Sequence, residues 1–491
     1  MFFPCLRQTL TIGLFFLLSV SINAQQDNTL FFMHDLPQSN FVNPAVPAKC
    51  KFIIGFPALA SVHGNYSNTA LTFKEAFDKD PITDSLYLNP SNVISGLNKR
   101  ELIASEFHLT WFNLGFYIND YYLTFAINEK VSTYNIFPKE IMELGWKGNS
   151  AFLGRQAAFD GLRVNANHYR EFAFGLSKET SSGWRWGARA KLLFGMANVY
   201  TPKTNGYLHT DRNTFNLDTY LNSKVHASFP MEVTTDDEGY ISDIEIKEDF
   251  SASNYLLNTK NMGLGLDLGF IYDLNDRLTL SGSLIDLGYI NWKDETNTFT
   301  SSGHFSYAGT GTDSDFNTMD DLSHLGDSLK NVFSPDPTTG PYTSPLTPQV
   351  YLGATADLTS FLNAGLLFRS EFFRSKYHPS VTISANTYGF KRLNVSLSNT
   401  IENGTIFNPG AGIGVQLGIF QLHALCDNFA AFFDPLDTRN VNFRFGLSFV
   451  PGCNEKNMKK KTASNGIQAL PCYYNYYPDQ KTRKKNRRKY K

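Results

Sequence analysis

The strongest constraint in this sequence is a strict alternation of large apolar residues with polar or small ones. In the segment 441–449 every odd position is apolar and every even position is polar or glycine. The segments 184–196 and 262–270 follow the same pattern. Successive side chains of a β-strand point to opposite faces, so each segment predicts a strand with one apolar and one polar face. In water the apolar face would need a cover, whereas in lipid it would need none.

The same pattern predicts fourteen strands along the chain. They lie near 51–66, 101–118, 121–136, 159–177, 184–200, 260–273, 278–296, 346–357, 362–374, 376–389, 391–402, 406–418, 419–428 and 440–449. The turns after even-numbered strands are short. Most connections after odd-numbered strands are long, namely 67–100, 137–158, 201–259, 297–345 and 429–439. This sidedness is typical of outer-membrane barrels, in which the short turns are periplasmic, and an even strand number leaves both chain ends in the periplasm.

These observations predict an all-β fold, a closed antiparallel transmembrane β-barrel of about 14 strands, with about 12 or 16 as the neighbouring counts. A secreted β-sandwich also alternates, but the number of strands, the aromatic faces and the sidedness of the loops favour the barrel. The aromatic content is 14%, with 42 Phe and 24 Tyr, as a lipid-facing aromatic band requires. Closure is needed because an open sheet edge in hydrocarbon would leave backbone groups unpaired.

The first residues predict export. Arg7 precedes the apolar run 10–22, and small Ala24 stands before two glutamines, which is the pattern of a signal peptide cleaved after Ala24. The run is too short for a membrane anchor, which needs roughly 20 residues. The predicted organisation is therefore a signal peptide at 1–24, an N-terminal plug segment at 25–50, the barrel at 51–450 and a basic periplasmic tail at 451–491.

The tail differs in charge from the rest of the chain. Residues 454–491 hold 12 Lys or Arg and two acidic residues, a net of +10, so the whole-chain charge of −1 leaves about −12 for residues 25–453 once Arg7 is removed. The predicted docking residues are Lys459, Lys460, Lys461, Arg483, Lys484, Lys485, Arg487, Arg488 and Lys489. Basic blocks of this kind attract anionic headgroups or an acidic protein, although many are merely solvated. A periplasmic tail meets no nucleic acid, so we expect no nucleic-acid partner.

Two local sequences resemble a known family. The Asn43, Pro44 and Ala45 motif, ahead of the first strand, resembles a segment of FadL-like barrels and of their secretion-associated relatives in Bacteroidota. The segment 284–292 is similar to a stretch found in uncharacterised Bacteroidota outer-membrane barrels. The resemblance covers roughly residues 35–450 and implies a 14-stranded barrel whose N-terminal segment folds into the lumen as a plug. The basic tail is a departure from the FadL pattern.

The polar faces of the strands predict a charged lumen. The residues expected to point into it are Arg185, Arg189, Lys191, Asp267, Asp357, Arg369, Glu371, His423 and Arg444. Charges of both signs inside a barrel are expected to pair with one another and with a plug, since an unpaired buried charge is costly. The alternative is a polar lining that guides a solute. Lumen-facing glycines, namely Gly263, Gly265, Gly410, Gly412 and Gly414, predict close approach by a plug.

Catalytic and metal-binding motifs are absent from the sequence. The ten histidines are scattered singly and no cysteine pair has zinc spacing. The segment that begins at Asp313 has Thr318 and His324 where a calcium loop needs Gly and Glu. We therefore expect no enzyme activity, no metal and no cofactor. The apolar register slips near 284–287, which predicts a bulge and leaves the direction of Asp286 open.

Four cysteines remain after cleavage at Ala24. Cys453 and Cys472 could close a loop in the tail, but Cys50 and Cys426 are also available. Four cysteines allow three fully paired arrangements, and the sequence alone leaves all of them open.

Two functions agree with these features. The first is a non-enzymatic accessory or scaffold subunit of an outer-membrane secretion or assembly machine that docks through its tail, with the long loops as outer contacts. The second is a FadL-like passive transporter of hydrophobic or amphipathic small molecules. The tail and the long loops favour the first, which we prefer narrowly, and the resemblance favours the second.

Tail docking can be tested by affinity purification from membranes in mild detergent. We expect specific partners to copurify with the full-length protein and to be lost from a version stopped after Pro451. Mass spectrometry identifies the copurifying proteins. If both versions purify alone and remain equally stable monomers, the docking hypothesis is wrong.

Overall fold

A computed structural model describes most of the chain after the predicted signal peptide. The described residues are 27–180, 182–236, 241–308, 332–373, 376–387, 390, 392–402 and 405–451. The predicted signal peptide and every predicted docking residue of the tail lie outside these ranges.

The wall of the fold consists of fourteen strands, numbered here 1 to 14 in chain order, as the alternation predicted. Strands 1 and 8 each have two segments. The bounds are Phe52–Gly55 with Ser61–Asn68, Arg100–Ile118, Tyr121–Pro138, Arg163–Glu179, Trp184–Thr210, Asn261–Asp273, Leu278–Trp292, Tyr342–Pro345 with Gln349–Asp357, Leu362–Phe373, Lys376–Thr387, Leu393–Glu402, Thr405–Leu417, Phe420–Cys426 and Asn440–Phe449.

Each strand pairs antiparallel with its sequence neighbours, and strand 1 pairs with strand 14 to close the barrel. Ile54 lies opposite Phe449, and farther along strand 1 Val62 lies opposite Phe445. On its other side strand 1 pairs with strand 2. The predicted closed antiparallel barrel is therefore confirmed, and the wall has no open edge in the described residues.

Connection lengths alternate around the barrel. The connection after strand 2 is the two-residue turn 119–120, and the one after strand 12 is 418–419. The connections after strands 1, 5 and 7 are long, and they carry most of the additional elements. Most of the long connections therefore lie at one end of the barrel, as the sequence predicted.

The remaining elements are short. The α-helices are Asn28–Phe32, Phe73–Ala76, Pro90–Gly96, Lys139–Lys147 and Ala252–Leu256, and the 3-10 helices are Pro37–Phe41, Asn149–Phe152, Phe429–Phe432 and Pro435–Asp437. Two hairpins stand apart from the wall, Phe77–Lys79 with Leu86–Leu88 and Met231–Thr235 with Ile241–Ile246. The strands Gln156–Ala158, Leu217–Ser228, Thr296–Tyr307 and Asp336–Thr338 extend the sheet beyond strands 5 and 7 at the long-loop end. Among the described residues, no helix is both long and apolar enough to cross a membrane.

The outer face of the wall is an apolar belt. Along strand 6 the even-numbered residues Met262, Leu264, Leu266, Leu268 and Phe270 are all exposed. On strand 4, Phe174 is 57% exposed and packs its ring against Phe125 of strand 3 at a centroid distance of 4.9 Å. Within the described chain nothing covers this belt, so it requires an apolar surrounding such as the hydrocarbon of a bilayer.

A polar cluster lies on the same outer face as the apolar belt. Glu129 accepts hydrogen bonds from Arg170 at 2.7 Å and from the indole N–H of Trp111 at 3.2 Å, and it lies 2.8 Å from His168. Burial and the nearby Glu129 raise the pKa of Tyr255 to about 12, so its hydroxyl stays protonated 2.7 Å from Nδ1 of His168. The polar groups of this cluster therefore satisfy one another on the outer face.

The predicted bulge at 284–287 lies between strands 6 and 7. The register shifts between Leu266 and Leu268, so that Ile285 and Asp286 both face Asp267. Asp286 has a φ of 59°, and its backbone N–H donates to Asp267 at 2.8 Å. The extra residue turns the Asp286 carboxylate into the lumen, which the sequence pattern left open.

The belt makes a specific prediction about an exposed residue. Replacing Phe174 with Arg should destabilise the barrel in lipid by about 2–4 kcal/mol, because the new charge faces hydrocarbon. Ile82, in the connection after strand 1, is 91% exposed, and Ile82→Arg should change the free energy of unfolding by less than about 0.5 kcal/mol. The measurement is denaturant unfolding in lipid vesicles. Equal, negligible effects of both substitutions would show that the belt faces water.

Candidate functional site: the barrel lumen

Residues 27–48, which precede strand 1, run inside the barrel, and we call them the lumenal segment. Asp27 accepts two hydrogen bonds from the Arg444 guanidinium of strand 14, at 2.8 and 2.6 Å. Thr29 donates from its backbone to Asp427 at 2.7 Å, and its hydroxyl lies 2.8 Å from that of Ser398 in strand 11. These side chains come from separate parts of the wall, so the segment is held in the lumen by polar contacts with several strands.

Apolar side chains of the lumenal segment fill space that wall glycines leave free. A Cβ atom added to Gly353, Gly365, Gly412 or Gly414 would meet Phe31, Phe32, Met33 or Leu36, respectively. Phe31 also stacks on Tyr351 of strand 8 at 5.6 Å. These four apolar residues belong to a buried cluster with Leu367 and Leu425 of the wall. Apolar packing therefore holds the segment in the lumen in addition to its polar contacts.

Two of the glycines expected to face a plug do not. A Cβ atom at Gly263 would meet Ile290 of strand 7, and one at Gly265 would meet Lys191. The close approach of the lumenal segment to strand 6 occurs at Gly269, beside Asn43. The expectation for Gly263 and Gly265 was therefore wrong, since both glycines lie nearer the end of strand 6 that the segment does not reach.

The Asn43, Pro44 and Ala45 motif forms a turn against strands 5 and 6. The Asn43 side-chain oxygen accepts the backbone N–H of Ala45 at 3.0 Å, and its amide donates to the Phe270 carbonyl at 3.3 Å. A Cβ atom at Gly187 would clash with the Pro44 backbone. At this motif the backbone of the lumenal segment lies directly against the inner face of the wall.

A network of buried charges, which we call the central network, lies in the lumen against strands 3–7. Lys191 contacts Asp267 at 2.7 Å and Asp286 at 2.6 Å. Lys130 contacts Glu171 at 3.1 Å and Asp286 at 3.2 Å. Arg189 contacts Asp267 at 3.1 Å and also donates to Asn40 of the lumenal segment. The group holds three positive residues (Lys130, Arg189, Lys191) and three negative ones (Glu171, Asp267, Asp286), so its formal charges cancel.

A second buried network lies against the lumenal segment on the side of strands 8 and 9. Arg369 donates to the Tyr351 hydroxyl at 3.1 Å and lies 3.9 Å from Glu371. Tyr134 donates to Glu371 at 3.1 Å and also hydrogen-bonds Glu106. Both networks join wall strands that are distant in sequence. They therefore brace the barrel from inside.

The predicted lumen residues occupy three kinds of position. Arg189, Lys191, Asp267, Arg369, Glu371 and Arg444 are buried and belong to the contacts above. His423 is also buried, opposite Gly446 on strand 14. Arg185 and Asp357 are only half-buried near the short-turn end, where Arg185 contacts Asp273 at 2.6 Å. The alternation thus identified which side chains face the lumen, but it did not show how far along the barrel axis each of them lies.

Several lumen charges were missed from the sequence. Lys130 and Glu171 face the lumen, while their sequence neighbours Glu129 and Arg170 face outward. A pair of adjacent charges on a strand gives no alternation signal by itself. Continuing the apolar register from Leu123 and Phe125 would have separated the two faces.

The two networks and the lumenal segment enclose a small cavity. Its volume is about 60 Å³, and its lining includes Asp27, His63, His108 and Arg369. A cavity of this size holds a few water molecules. This cavity therefore has no room for a larger solute.

Strand 1 is interrupted between its two segments. Residues 56–60 bulge out of the ladder, with Ala58 at a φ of 59° and with Phe56 and Leu59 exposed on the outer face. Three backbone hydrogen bonds still tie the interruption to the neighbouring strands, among them Ala58 N–H to the Trp111 carbonyl at 3.0 Å. Trp111 is itself bulged from the ladder between strands 2 and 3. The wall is thus least regular at this point.

The lumenal segment closes this interruption from inside. The Gln38 side-chain amide donates to the Ala60 carbonyl at 3.2 Å and to the Ser448 hydroxyl at 2.8 Å. Gln38 and Ser448 are completely buried. One side chain therefore links the lumenal segment, the irregular part of strand 1 and strand 14.

The cysteines do not follow the fully paired arrangements. Cys50 is disulfide-bonded, whereas Cys426 is a buried free thiol. Cys453 and Cys472 lie outside the described residues. A Cys453–Cys472 bridge could form only if Cys50 were bonded to neither of them.

Among the described residues, no group of three His, Cys, Asp or Glu is placed to hold a metal ion.

A family model described as "Family of unknown function (DUF5723)" matches residues 44–427. No curated protein matches the chain.

Solved structures with a similar course of the chain include a FadL homologue and two toluene transporters. A Pseudomonas aeruginosa FadL homologue has 10% identity and a TM-score of 0.39, with 88% of this chain and all of that chain covered. The Ralstonia pickettii toluene transporter TbuX has 9% identity and a TM-score of 0.39, covering 84% of this chain and 93% of the other. The Pseudomonas putida toluene transporter TodX has 7% identity and a TM-score of 0.35, covering 88% and 98%. At these values the likeness carries no argument about function.

The central network predicts a large effect of removing one charge. Lys191→Met should destabilise the barrel by about 3–5 kcal/mol, because it leaves the Asp267 and Asp286 carboxylates buried with too few cations. Lys178→Met, on the exposed side of strand 4, is the control and should cost less than about 1 kcal/mol. Unfolding in lipid vesicles measures both. Similar small effects would mean that water reaches the network.

Proposed function

The chain belongs to the DUF5723 family, which has no described function, and we propose that it is a passive transporter that lets apolar or amphipathic small molecules cross the outer membrane. The proposal rests on the geometry of this barrel. The route begins at the long-loop end, passes the lumenal segment and leaves through the wall at the interruption of strand 1.

The surface of the barrel and the lengths of its connections support the proposed membrane location and orientation. The apolar belt suits hydrocarbon, and a fourteen-stranded closed wall satisfies the backbone groups that face it. In outer-membrane barrels the short turns face the periplasm and the long loops face outward. On this basis we propose that both ends of the barrel chain are periplasmic.

The contact between Gln38 and the interruption of strand 1 is the observation that carries the proposal. The wall is least regular at residues 56–60. Among the described side chains, only that of Gln38, in the lumenal segment, donates a hydrogen bond to the Ala60 carbonyl from the lumen. We propose that this segment is the part that moves. Withdrawal of Gln38 would uncover the inner side of that irregular stretch. No covalent bond within 27–48 prevents such a movement, because the segment is held there by hydrogen bonds, ion pairs and packing.

The position of the opening selects the solute. Phe56 and Leu59 flank it on the outer face, within the belt, so a molecule leaving there enters hydrocarbon. An ion or a sugar would lose its hydration on that path at a high cost in free energy. These features favour an apolar solute or the apolar part of an amphipathic one.

The scaffold function remains a prediction from the sequence. Its main support is the basic tail, and that tail lies outside the described residues. The transporter proposal does not exclude a docked tail, since the two concern different parts of the chain.

A reversible lock tests the proposed movement. The Thr29 and Ser398 hydroxyls are 2.8 Å apart, so cysteines at both positions are close enough to form a disulfide. In the oxidised Thr29→Cys/Ser398→Cys variant, uptake of a radiolabelled aromatic hydrocarbon by cells should fall by about tenfold or more, because the open population is removed. Reductant should restore it.

The controls separate the lock from other effects. The two single cysteine variants and the wild type, each with and without reductant, should take up the tracer at similar rates. Gln38→Ala should raise the rate, since it removes the side chain that closes the interruption. Unchanged uptake by the oxidised double variant, with the disulfide verified, would refute transport past a moving lumenal segment.

A further inference from the structure

A second cavity lies between the connection after strand 5 and the turn after strand 7, at the long-loop end of the barrel, and we call it the loop pocket. Its volume is about 450 Å³, and pockets of about 300–1,000 Å³ are usual for small-molecule sites. The lining includes Tyr255 of the helix Ala252–Leu256 together with Asp294 and Glu295. No residue of this lining also lines the cavity in the lumen. The two cavities are therefore separate sites.

The contacts of Tyr255 place the loop pocket beside the wall of the barrel. The Tyr255 hydroxyl lies 2.7 Å from Nδ1 of His168, which belongs to the polar cluster on the outer face of strand 4. The centroids of the two rings are 5.5 Å apart. The helix that carries Tyr255 is thus held against the outside of the wall. The loop pocket therefore adjoins the outer surface of the barrel.

Hydrogen bonds hold the two connections of the loop pocket together. The Phe229 N–H donates to the Glu295 carbonyl at 3.0 Å. The Asn261 side-chain oxygen accepts the backbone N–H of Lys293 at 2.8 Å and that of Asp294 at 2.9 Å. These bonds join parts of the chain that are far apart in sequence. The shape of the pocket is therefore fixed by the protein itself.

The lysines of the loop pocket are already paired with carboxylates. Lys247 contacts Glu295 at 2.6 Å, and Lys260 contacts Asp294 at 2.9 Å. Asp249 also lines the pocket, so the two cations and three anions of the lining leave a net charge of −1. An anionic ligand would therefore gain no net electrostatic attraction from the lining.

The paired side chains keep hydrogen-bonding capacity for a ligand. An ammonium group has more N–H donors than one ion pair uses, and a carboxylate has more acceptor sites. The lining adds the amides of Asn254 and Asn258 and the hydroxyls of Ser251 and Thr259. The loop pocket therefore presents both donors and acceptors, as a ligand rich in hydroxyl groups requires.

Part of the lining is aromatic. Phe250 and Tyr255 both line the loop pocket, and their ring centroids are 5.9 Å apart. Phe229 supports them, with its centroid 6.3 Å from that of Phe250 and 5.9 Å from that of Tyr255. The face of an aromatic ring is negative and attracts C–H groups that carry a small positive charge. The pocket therefore also offers a surface for the C–H face of a sugar ring.

We propose that the loop pocket binds a neutral saccharide. The ion-paired side chains and the amides hydrogen-bond the hydroxyl groups, and Phe250 packs against one face of a sugar ring. The volume accommodates a monosaccharide or a disaccharide. An apolar ligand would leave the polar groups of the lining without partners, at a cost in free energy. This site is distinct from the proposed route of the apolar solute.

The position of the loop pocket leaves two sources of the saccharide. One is a free sugar outside the cell, and the other is the sugar headgroup of a glycolipid in the surrounding outer leaflet, since the pocket adjoins the outer surface of the barrel. Access from outside the cell rests on the proposed membrane orientation. The chemistry of binding does not.

Saturation-transfer NMR with the purified full-length protein tests the proposal. The protein is kept in an amine-oxide detergent, because a glycoside detergent would itself supply a sugar. The probes are glucose, galactose, mannose, N-acetylglucosamine, lactose and maltose, with glucuronate and galacturonate as anionic counterparts. We expect transfer to at least one neutral sugar and weaker transfer to the anionic ones. Absence of transfer to every neutral sugar, or stronger transfer to the anionic sugars, would overturn the proposal.

Variants locate the binding in the loop pocket. Phe250→Ala should weaken binding of the best sugar by about tenfold, because it removes the aromatic surface. Glu295→Gln should also weaken it, since a neutral amide is a weaker acceptor than a carboxylate. Phe215→Ala is the matched control, because Phe215 is an exposed aromatic residue of the same connection outside the pocket, and it should bind as the wild type does. Unchanged affinity in both pocket variants would contradict the assigned site.

A competition experiment distinguishes the two sources. Oligosaccharide released by mild acid from the glycolipid of the outer membrane is added to the protein with its best sugar bound. Displacement of the sugar identifies the headgroup as the ligand, and binding of the sugar without displacement identifies a free saccharide. These assays involve no transport, so their outcome is independent of the proposed transport function.

Discussion

The pairing of every backbone N–H and C=O within the wall is the constraint on which the rest of this structure depends. In hydrocarbon there is no water to satisfy an open strand edge, so the sheet must close on itself. The pairing of strand 1 with strand 14 does this, although strand 1 is broken into two segments. Closure therefore depends on a seam that contains its least regular strand.

That seam gathers the features that matter for function. The interruption at 56–60 carries apolar side chains outward, the buried Gln38 amide closes it from inside, and the bonded Cys50 lies at its start. A local break in a ladder is costly in lipid unless other groups satisfy the freed backbone atoms. Here Trp111, Leu447 and Gln38 provide those partners. Because only these few contacts stabilise the break, a small movement at this point has a large effect on the wall.

Charge pairing in the lumen is a second constraint on the structure. Three cations and three anions lie in one central group, and the lumenal segment contributes Asp27 to Arg444 and the Asn40 amide oxygen to Arg189. A buried charge without a partner would cost several kcal/mol, so removal of the segment must be accompanied by water or by a replacement partner. The segment is thus part of the electrostatic balance of the barrel as well as of its packing. These contacts therefore impose a free-energy barrier on movement of the lumenal segment, but they do not fix the segment permanently.

The sequence by itself determined the strands, their number and the face that most of their side chains take. Period-two alternation is a local property, and lipid on one side of the wall makes it strict, so fourteen strands and the inward direction of residues such as Arg189 and Arg444 followed from it. Tertiary structure decided which charges meet and where the ladder breaks. Asp286 turns inward because of a bulge, Lys130 joins strands 3, 4 and 7 through its two acidic partners, and Gly412 rather than Gly263 receives the lumenal segment. These contacts connect residues that are far apart in sequence. Their geometry depends on the stagger of strands around the closed barrel, which no local pattern records.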